Sequence, residues 1–140
     1  MKALFRKIKK YAAFFFVGGV GYVLIELLWR GRTHWTMAIA GGICFIIFSL
    51  VAEKLKDRTL LLKAAVCALG VTLVEFIFGV IFNLMLGMAI WDYSDVPFNL
   101  LGQICPGFTL LWMGLGILFL PMAQIINDFF EEHVSKNISA

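Results

Sequence analysis

Residues 90–99 read IWDYSDVPFN and separate two long apolar segments. The stretch combines aromatic rings, carboxylates, an amide and a proline, whereas a simple connection between lipid-embedded helices needs none of these groups. Asp92 and Asn99 can form hydrogen bonds with the backbone of their own turn, and Pro97 favours a tight bend. We therefore predict an ordered outer loop at a membrane surface, between helices three and four of the protein.

The rest of the 140-residue chain has the composition of an integral membrane protein. Hydrophobic residues make up 61% of it and charged residues 15%, whereas soluble domains carry about 25% charged residues. Four apolar segments are long enough to cross a bilayer, which takes about 20 residues each; they cover residues 11–29, 35–52, 60–86 and 106–126. We expect residues 1–140 to form a single all-α transmembrane domain with four transmembrane helices and no nucleic-acid partner.

The basic residues are distributed unevenly between the two sides of this domain. Ten of the twelve lysines and arginines lie in the N-terminal arm, in residues 53–63 around the start of the third segment, or in the tail, and only Arg30 and Arg32 follow the first segment. Basic residues in short loops stay on the cytoplasmic side. The pattern predicts a multi-pass protein of the cell inner (cytoplasmic) membrane with an N-in/C-in topology.

A carboxylate, Glu75, falls near the middle of the third apolar segment. Placing an acidic group at the bilayer centre costs about 2.5–3.5 kcal/mol, so Glu75 needs a partner, a water-filled cavity or a bound proton. Thr72 and Asn83 share its helix face. Small and polar residues on such a face can simply join helices. Because an uncharged side chain could do that without the cost of a carboxyl group, we predict that Glu75 lies on a substrate or proton path. For Thr72 and Asn83 two interpretations stay open: they join helices, or they line the same path.

The first apolar segment contributes Tyr22 and Glu26 to the same predicted path. Both share a helix face with Arg30, and the order from Glu26 to Arg30 is the favourable one for an ion pair. Two interpretations stay open: a self-neutralising pair at the interface, or a functional site. In the second, an outer gate forms where the two outer connections meet, from Arg30, Arg32, Asp92, Tyr93, Asp95 and Asn99.

The sequence lacks the usual signs of catalysis or cofactor binding. His34 and His133 fall on opposite sides in the predicted topology, so they cannot share a metal ion, and no GxxxxGK[ST] phosphate loop occurs. We predict no catalytic residue, no metal site and no cofactor. Aromatic residues near the segment ends, including Trp91 and Trp112, fit an interfacial belt.

Several motifs in the second half of the chain follow a distinctive spacing: WDYS at residues 91–94, PFNL at 97–100, Gly102, Cys105, and LLW at 110–112. Together they resemble the ABC-transporter type IV permeases, a family of small CmpB-like membrane proteins. The resemblance implies a multi-span membrane protein assigned to transport, and it names no substrate.

Our leading hypothesis is a small transporter or permease component that moves an unknown solute, with proton coupling through Glu75. Four helices alone enclose little space, so we expect a homo-oligomer or a partner membrane subunit, in contact with membrane lipid. A separate cytoplasmic ATPase is a further possible partner. Two alternatives stay open: an accessory or structural subunit, and, less favoured, an enzyme acting on a lipid-linked substrate through Glu26, Asp92 and Asp95.

Overall fold

The computed structural model describes residues 1–138 and contains four long helices. Helix α3 continues without a break into a π-helical segment, in which the backbone hydrogen bonds span five residues. The elements in chain order are α1 (Lys2–Arg30), α2 (Trp35–Lys54), α3 (Leu60–Phe78), the π-helical segment (Gly79–Met85) and α4 (Pro106–Ile138).

Each of the four helices is long and apolar enough to cross a membrane. Residues 1–138 contain no β-strand, so the prediction of an all-helical protein with four apolar helices is confirmed. Helices α1 and α4 extend well beyond the apolar segments seen in the sequence. Helix α1 begins at Lys2, ahead of residue 11, and α4 continues through Pro121 to Ile138.

Local sequence signals set several of the helix ends. Gly31 adopts the left-handed conformation, with a φ of 69°, and its N–H bonds the carbonyl of Leu27 at the end of α1. Thr59 caps α3, because its hydroxyl accepts the N–H of Leu62 at 3.2 Å. The links from α1 to α2 and from α2 to α3 are short, so consecutive helices run antiparallel.

This arrangement gives the bundle two different ends. At the terminal end, α1 begins, α2 and α4 finish, and α3 starts. At the opposite end lie the short link after α1 and a longer segment, residues 86–105, which joins the π-helical segment to α4 and is called the connector below. The connector end therefore carries most of the non-helical backbone.

Helices α1 and α2 lie very close together because glycines face each other. A Cβ atom added to Gly41 would lie 2.8 Å from the carbonyl oxygen of Gly18 and would also overlap Tyr22. Small residues permit this approach between membrane helices. The pairing brings Tyr22 of α1 towards the interior of the bundle, where its ring lies 5.9 Å from that of Trp112.

The terminal half of the bundle is filled by apolar side chains and one polar pair. Phe14, Leu120 and Ala123 are among its fully or almost fully buried residues. Ser49 and Asn127 are both 0% exposed, and they form two hydrogen bonds, of 2.7 and 3.1 Å, between α2 and α4. The buried polar groups are thus satisfied, and this half of the protein forms a closed core.

Candidate functional site

The connector folds through hydrogen bonds that its own side chains make to its backbone. One carboxylate oxygen of Asp92 accepts the N–H of Ser94 at 2.9 Å and also the Ser94 hydroxyl. The Asn99 amide donates to the carbonyls of Ser94 and Val96, and its oxygen accepts the N–H of Gly102. These are the Asx-type bonds expected from the sequence. The bonds from Ser94 lower the pKa of Asp92 below its ordinary value.

The connector backbone adopts several conformations that side chains disfavour. Gly102 has a φ of 70°, and the non-glycine residues Ala89, Phe98 and Leu101 have φ values of 49°, 58° and 55°. A left-handed conformation costs a non-glycine residue roughly 1–2 kcal/mol. Three such residues in one short segment indicate that the surrounding contacts hold the connector in a specific shape.

Asn83 in the π-helical segment fastens the connector to the end of α3. Its side-chain oxygen accepts the N–H of Ile90 at 2.7 Å, and its amide donates to the carbonyl of Trp91 at 3.1 Å and to Oε1 of Gln103 at 2.9 Å. The Trp91 indole in turn donates to the carbonyl of Gln103 at 3.0 Å. One asparagine therefore holds both arms of the connector together.

Gly79 makes room for this arrangement. A Cβ atom at this position would lie 2.6 Å from Oε1 and 2.9 Å from Cβ of Gln103, distances that atoms do not tolerate. Gln103 is only 3% exposed, so it has no free space into which to retreat. The glycine and the wider π-helical turn that follows it let the buried glutamine lie directly against the end of α3.

Glu75 lies on α3 beneath the connector, where it accepts hydrogen bonds from two other parts of the chain. The Tyr93 hydroxyl donates to Oε1 at 3.2 Å, and the Trp112 indole donates to Oε2 at 3.0 Å. The Tyr93 ring stacks on that of Phe108 at 4.4 Å between ring centres. Burial, followed by the nearby Glu75 carboxylate, raises the pKa of Tyr93, so its hydroxyl stays a hydrogen-bond donor.

Trp112 does not belong to an interfacial belt, so that interpretation of the sequence is wrong for this residue. It is only 9% exposed, and its indole N–H points to Glu75. Trp91 likewise turns its N–H to the backbone of the connector. Trp29 and Trp35 are 76% and 60% exposed, as an interfacial position requires.

A cavity of about 320 Å³ lies between the helices on the connector side of the closed core. Glu75 and Trp112 form one part of its wall, and Glu26, Arg30 and Trp91 form another. Three of the residues predicted for the path, Tyr22, Glu26 and Glu75, line this one cavity. A smaller apolar cavity of about 100 Å³ shares Tyr22 and Trp112 with it and reaches Phe48 and Phe119.

A sequence model of the family described as "Putative ABC-transporter type IV" matches residues 12–139. The chain belongs to this family. The match confirms the resemblance seen in the WDYS and PFNL motifs, and with the four apolar helices it makes the chain a small multi-pass membrane protein related to transport. Searches of curated proteins and of solved structures returned no match.

In this type IV family member, Glu26 and Arg30 form a largely buried ion pair. The Arg30 guanidinium donates to one Glu26 oxygen through Nε at 2.9 Å and through a second nitrogen, and Glu26 is 8% exposed. The remaining Arg30 nitrogen donates to the Ile90 carbonyl at 3.2 Å. Because Arg30 contacts the first buried residue of the connector, the pair links α1 to the connector as well as neutralising itself.

The structure places the remaining predicted path residues elsewhere. The Thr72 hydroxyl lies 2.8 Å from that of Thr109 and joins α3 to α4. Asn83 belongs to the connector contacts described above, and neither it nor Thr72 lines the cavity. Thr72 and Asn83 therefore contact neighbouring segments, and of the three predicted path residues after α2 only Glu75 lines the cavity.

The predicted gate residues do not meet as charged pairs in the structure. Within residues 1–138, neither Arg30 nor Arg32 forms a salt bridge with Asp92 or Asp95. Arg32 and Asp95 are exposed, while Asp92 and Asn99 bond within the connector. Gln103, which belongs to none of the sequence motifs, and Trp112, which the sequence places in an interfacial belt, are buried at the centre of the site. No spacing rule links either of them to α3.

Proposed function

We propose that the protein is a permease component that binds a small solute in the cavity beside Glu75 and moves it across the inner membrane. The observation that carries this proposal is the cavity itself. Its volume of about 320 Å³ lies within the range of roughly 300–1,000 Å³ found for small-molecule sites. The wall of the cavity also includes the carboxylate of Glu75, which comes from the middle of an apolar helix and is a costly group to keep there without a function.

The solute site lies within one chain, so the site itself needs no second copy. A solute in this site cannot pass directly to the opposite side of the membrane, because Phe14, Leu120 and Ala123 fill the terminal half of the bundle. A route past them requires helices to move apart, or a seam with another subunit. We therefore propose that a homo-oligomer, or a complex with a partner membrane subunit, provides the complete path.

Proton binding at Glu75 would couple the solute site to the connector. The ionised carboxylate attracts the Tyr93 hydroxyl and the Trp112 indole N–H. Addition of a proton removes that charge and weakens both bonds, since hydrogen bonds to charged groups are the stronger ones. Tyr93 belongs to the connector, so the proton on Glu75 would help to decide whether the connector stays closed over the cavity.

The proposed orientation is N-in/C-in, which places the connector on the outer face. The short link from α2 to α3 then lies on the cytoplasmic side and carries exposed basic residues, including Lys56 and Arg58. This link is a suitable contact for a separate cytoplasmic ATPase, because it lies outside the bilayer and connects directly to helices α2 and α3. The proposal predicts that transport depends on such a partner or on the proton gradient.

The test compares solute contents without assuming a solute. Strains carrying the wild-type gene, a deletion, Glu75→Gln or the exposed control Glu132→Gln are grown together, and cells and medium are profiled by mass spectrometry. We expect the deletion to change the cell-to-medium ratio of at least one solute, and we expect wild type and Glu132→Gln to restore it. Restoration by Glu75→Gln, or identical ratios in all strains, would contradict the proposal.

The connector surface favours a second candidate function, that of an accessory subunit which docks a partner protein. Phe98 is 90% exposed at a strained φ, and Leu100 and Leu101 beside it are 51% and 62% exposed. A photo-crosslinking amino acid at Phe98 distinguishes the candidates. A single protein adduct supports the accessory subunit, whereas lipid adducts indicate that these side chains simply enter the bilayer.

A further inference from the structure

The charges that line the cavity do not cancel. Three of its lining residues carry charge: Glu26, Arg30 and Glu75. Arg30 is bound to Glu26, while no lysine or arginine in residues 1–138 forms a salt bridge with Glu75. An ionised Glu75 therefore leaves the cavity with one net negative charge. Its two oxygens offer about four acceptor positions, and Tyr93 and Trp112 occupy two of them.

The other property of the wall is its aromatic content. Seven aromatic residues line the cavity, and apart from the three charged side chains the remainder is almost wholly apolar; the seven are Tyr22, Trp29, Phe78, Trp91, Tyr93, Phe108 and Trp112. Aromatic faces attract cations, and the attraction increases when the cation is desolvated. Such a wall is unsuited to an anion, since an ionised Glu75 would repel it.

We propose that the cavity binds a monovalent organic cation with an apolar body, its charged centre beside Glu75 and its body against the aromatic and aliphatic wall. This inference rests on the proposed function, because it names the chemical class of the solute that the site would take. Because Glu75 is the carboxylate of the cavity without a basic partner in residues 1–138, a bound ligand should carry a positive charge. Because the rest of the wall is apolar, the remainder of the ligand should be apolar as well. The connector then covers the bound molecule through Tyr93 and Trp91.

A divalent metal ion fits the same wall poorly. Magnesium and calcium require six or more oxygen ligands, or a retained shell of water. No group of three or more acidic, histidine or cysteine residues suitable for a metal ion occurs in the part of the chain that the structure describes. A weakly hydrated organic cation loses less hydration than a divalent metal ion on entering an aromatic cavity, so the same residues can hold it without a cage of oxygens.

The first experiment measures binding to the full chain by isothermal titration calorimetry, in nanodiscs of phosphatidylethanolamine and phosphatidylglycerol, which lack the quaternary ammonium group of the probe. The probe is benzyltrimethylammonium, and its neutral isostere neopentylbenzene is titrated in parallel, with empty nanodiscs to subtract partition into lipid. We expect saturable binding of the cation only. Glu75→Gln should weaken it by about tenfold or more, the scale of a charge-assisted contact, while Glu75→Asp should retain most of it.

The matched control is Glu132→Gln, which removes one acidic group from an exposed position on α4 and should leave the affinity unchanged. The inference is overturned if the wild type shows no saturable binding, if the isostere binds as tightly as the cation, or if Glu75→Gln binds like the wild type. In the second case the cavity accepts apolar molecules, such as lipid chains, whatever their charge.

A second measurement keeps the native Glu75 and so does not depend on the folding of a variant. A ligand that binds only the folded state raises its unfolding temperature. Benzyltrimethylammonium should therefore raise the thermal unfolding temperature of the wild type in detergent as its concentration increases, while neopentylbenzene should not. An unfolding temperature that the cation leaves unchanged would count against the inference.

The two proposals fail in different ways. If solute ratios in cells depend on Glu75 but the cation does not bind, the protein transports a solute of another class. If the cation binds through Glu75 but the solute ratios of the deletion strain are unchanged, the cavity is a binding site without transport. The second result would favour the accessory-subunit candidate.

Discussion

Trp112 donates its indole N–H to Oε2 of Glu75 across 3.0 Å, which joins the carboxylate on α3 directly to α4. The second carboxylate oxygen accepts the hydroxyl of Tyr93 from the connector. Glu75 therefore has two possible roles: it holds three segments of the chain together, and it presents a negative group to the cavity. Substitutions at this position separate the two roles.

Glu75→Gln should preserve the fold and abolish the activity. The amide oxygen of glutamine can accept the Trp112 N–H, and its NH₂ group can donate to the hydroxyl oxygen of Tyr93. We expect the stability of the variant to change by less than about 1 kcal/mol, as judged by thermal unfolding in detergent, while the solute ratios of the deletion strain stay uncorrected. Normal activity would end the proton-coupling hypothesis.

Glu75→Leu is the comparison that reveals the structural role. Leucine has a similar size but cannot accept a hydrogen bond, so the indole N–H of the buried Trp112 loses its partner. An unsatisfied buried donor costs about 1–3 kcal/mol. Glu75→Leu should therefore unfold at a lower temperature than Glu75→Gln. Equal unfolding temperatures for the two variants would show that the hydrogen bond from Trp112 contributes little.

Asn83→Ala should loosen the connector without unfolding the bundle. The substitution removes three hydrogen bonds, to Ile90, Trp91 and Gln103, each with a net worth of about 1 kcal/mol. Hydrogen exchange followed by mass spectrometry in nanodiscs should become faster in residues 86–105 and stay unchanged in α1 and α2. Gln124→Ala, which removes a single exposed bond to Asp128, is the control and should leave the connector protected.

Gly79→Ala should destabilise the protein, although alanine ordinarily favours helices. The added methyl group overlaps the side chain of Gln103, which is buried and cannot move aside, and overpacking of this kind costs about 1–3 kcal/mol. Gly114→Ala on α4 is the matched control, since nothing lies within 4 Å of its added Cβ. Thermal unfolding in detergent should show a loss for the first variant only; a loss of similar size in both would point to a general effect of alanine.

Sequence reasoning identified the features that depend on composition and local spacing. The apolar segments, the inward position of Glu75 and the Asx-type bonds of Asp92 and Asn99 all follow from neighbours a few residues apart. The sequence misplaces Trp112 at the interface and gives no role to Gln103, because their partners lie far away in sequence: Glu75 is 37 residues from Trp112, and Asn83 is 20 residues from Gln103. Only the packing of α3 against α4 and the connector brings them together.

The polar face of α3 shows a second limit of prediction from local spacing. Helical spacing placed Thr72, Glu75 and Asn83 on a common face, and it assigned them a common path. The structure separates their partners, since Thr72 contacts Thr109 and Asn83 contacts the connector. The π-helical segment begins at Gly79, between Glu75 and Asn83, so the α-helical period no longer holds when Asn83 is reached.

The N-in/C-in orientation is tested by cysteine accessibility in intact cells. Cys44, Cys67 and Cys105 are first replaced by alanine, and single cysteines are then introduced at two exposed positions, Ser94 in the connector and Asp57 in the link between α2 and α3. Because ten of the twelve basic residues lie on the side of Asp57, the positive-inside rule predicts that only the Ser94 cysteine reacts with an impermeant maleimide added from outside. The Asp57 cysteine should react after the cells are permeabilised, which controls for its reactivity. Labelling of the Asp57 cysteine in intact cells, with the Ser94 cysteine protected until permeabilisation, would reverse the topology and place the cavity and its connector on the cytoplasmic side.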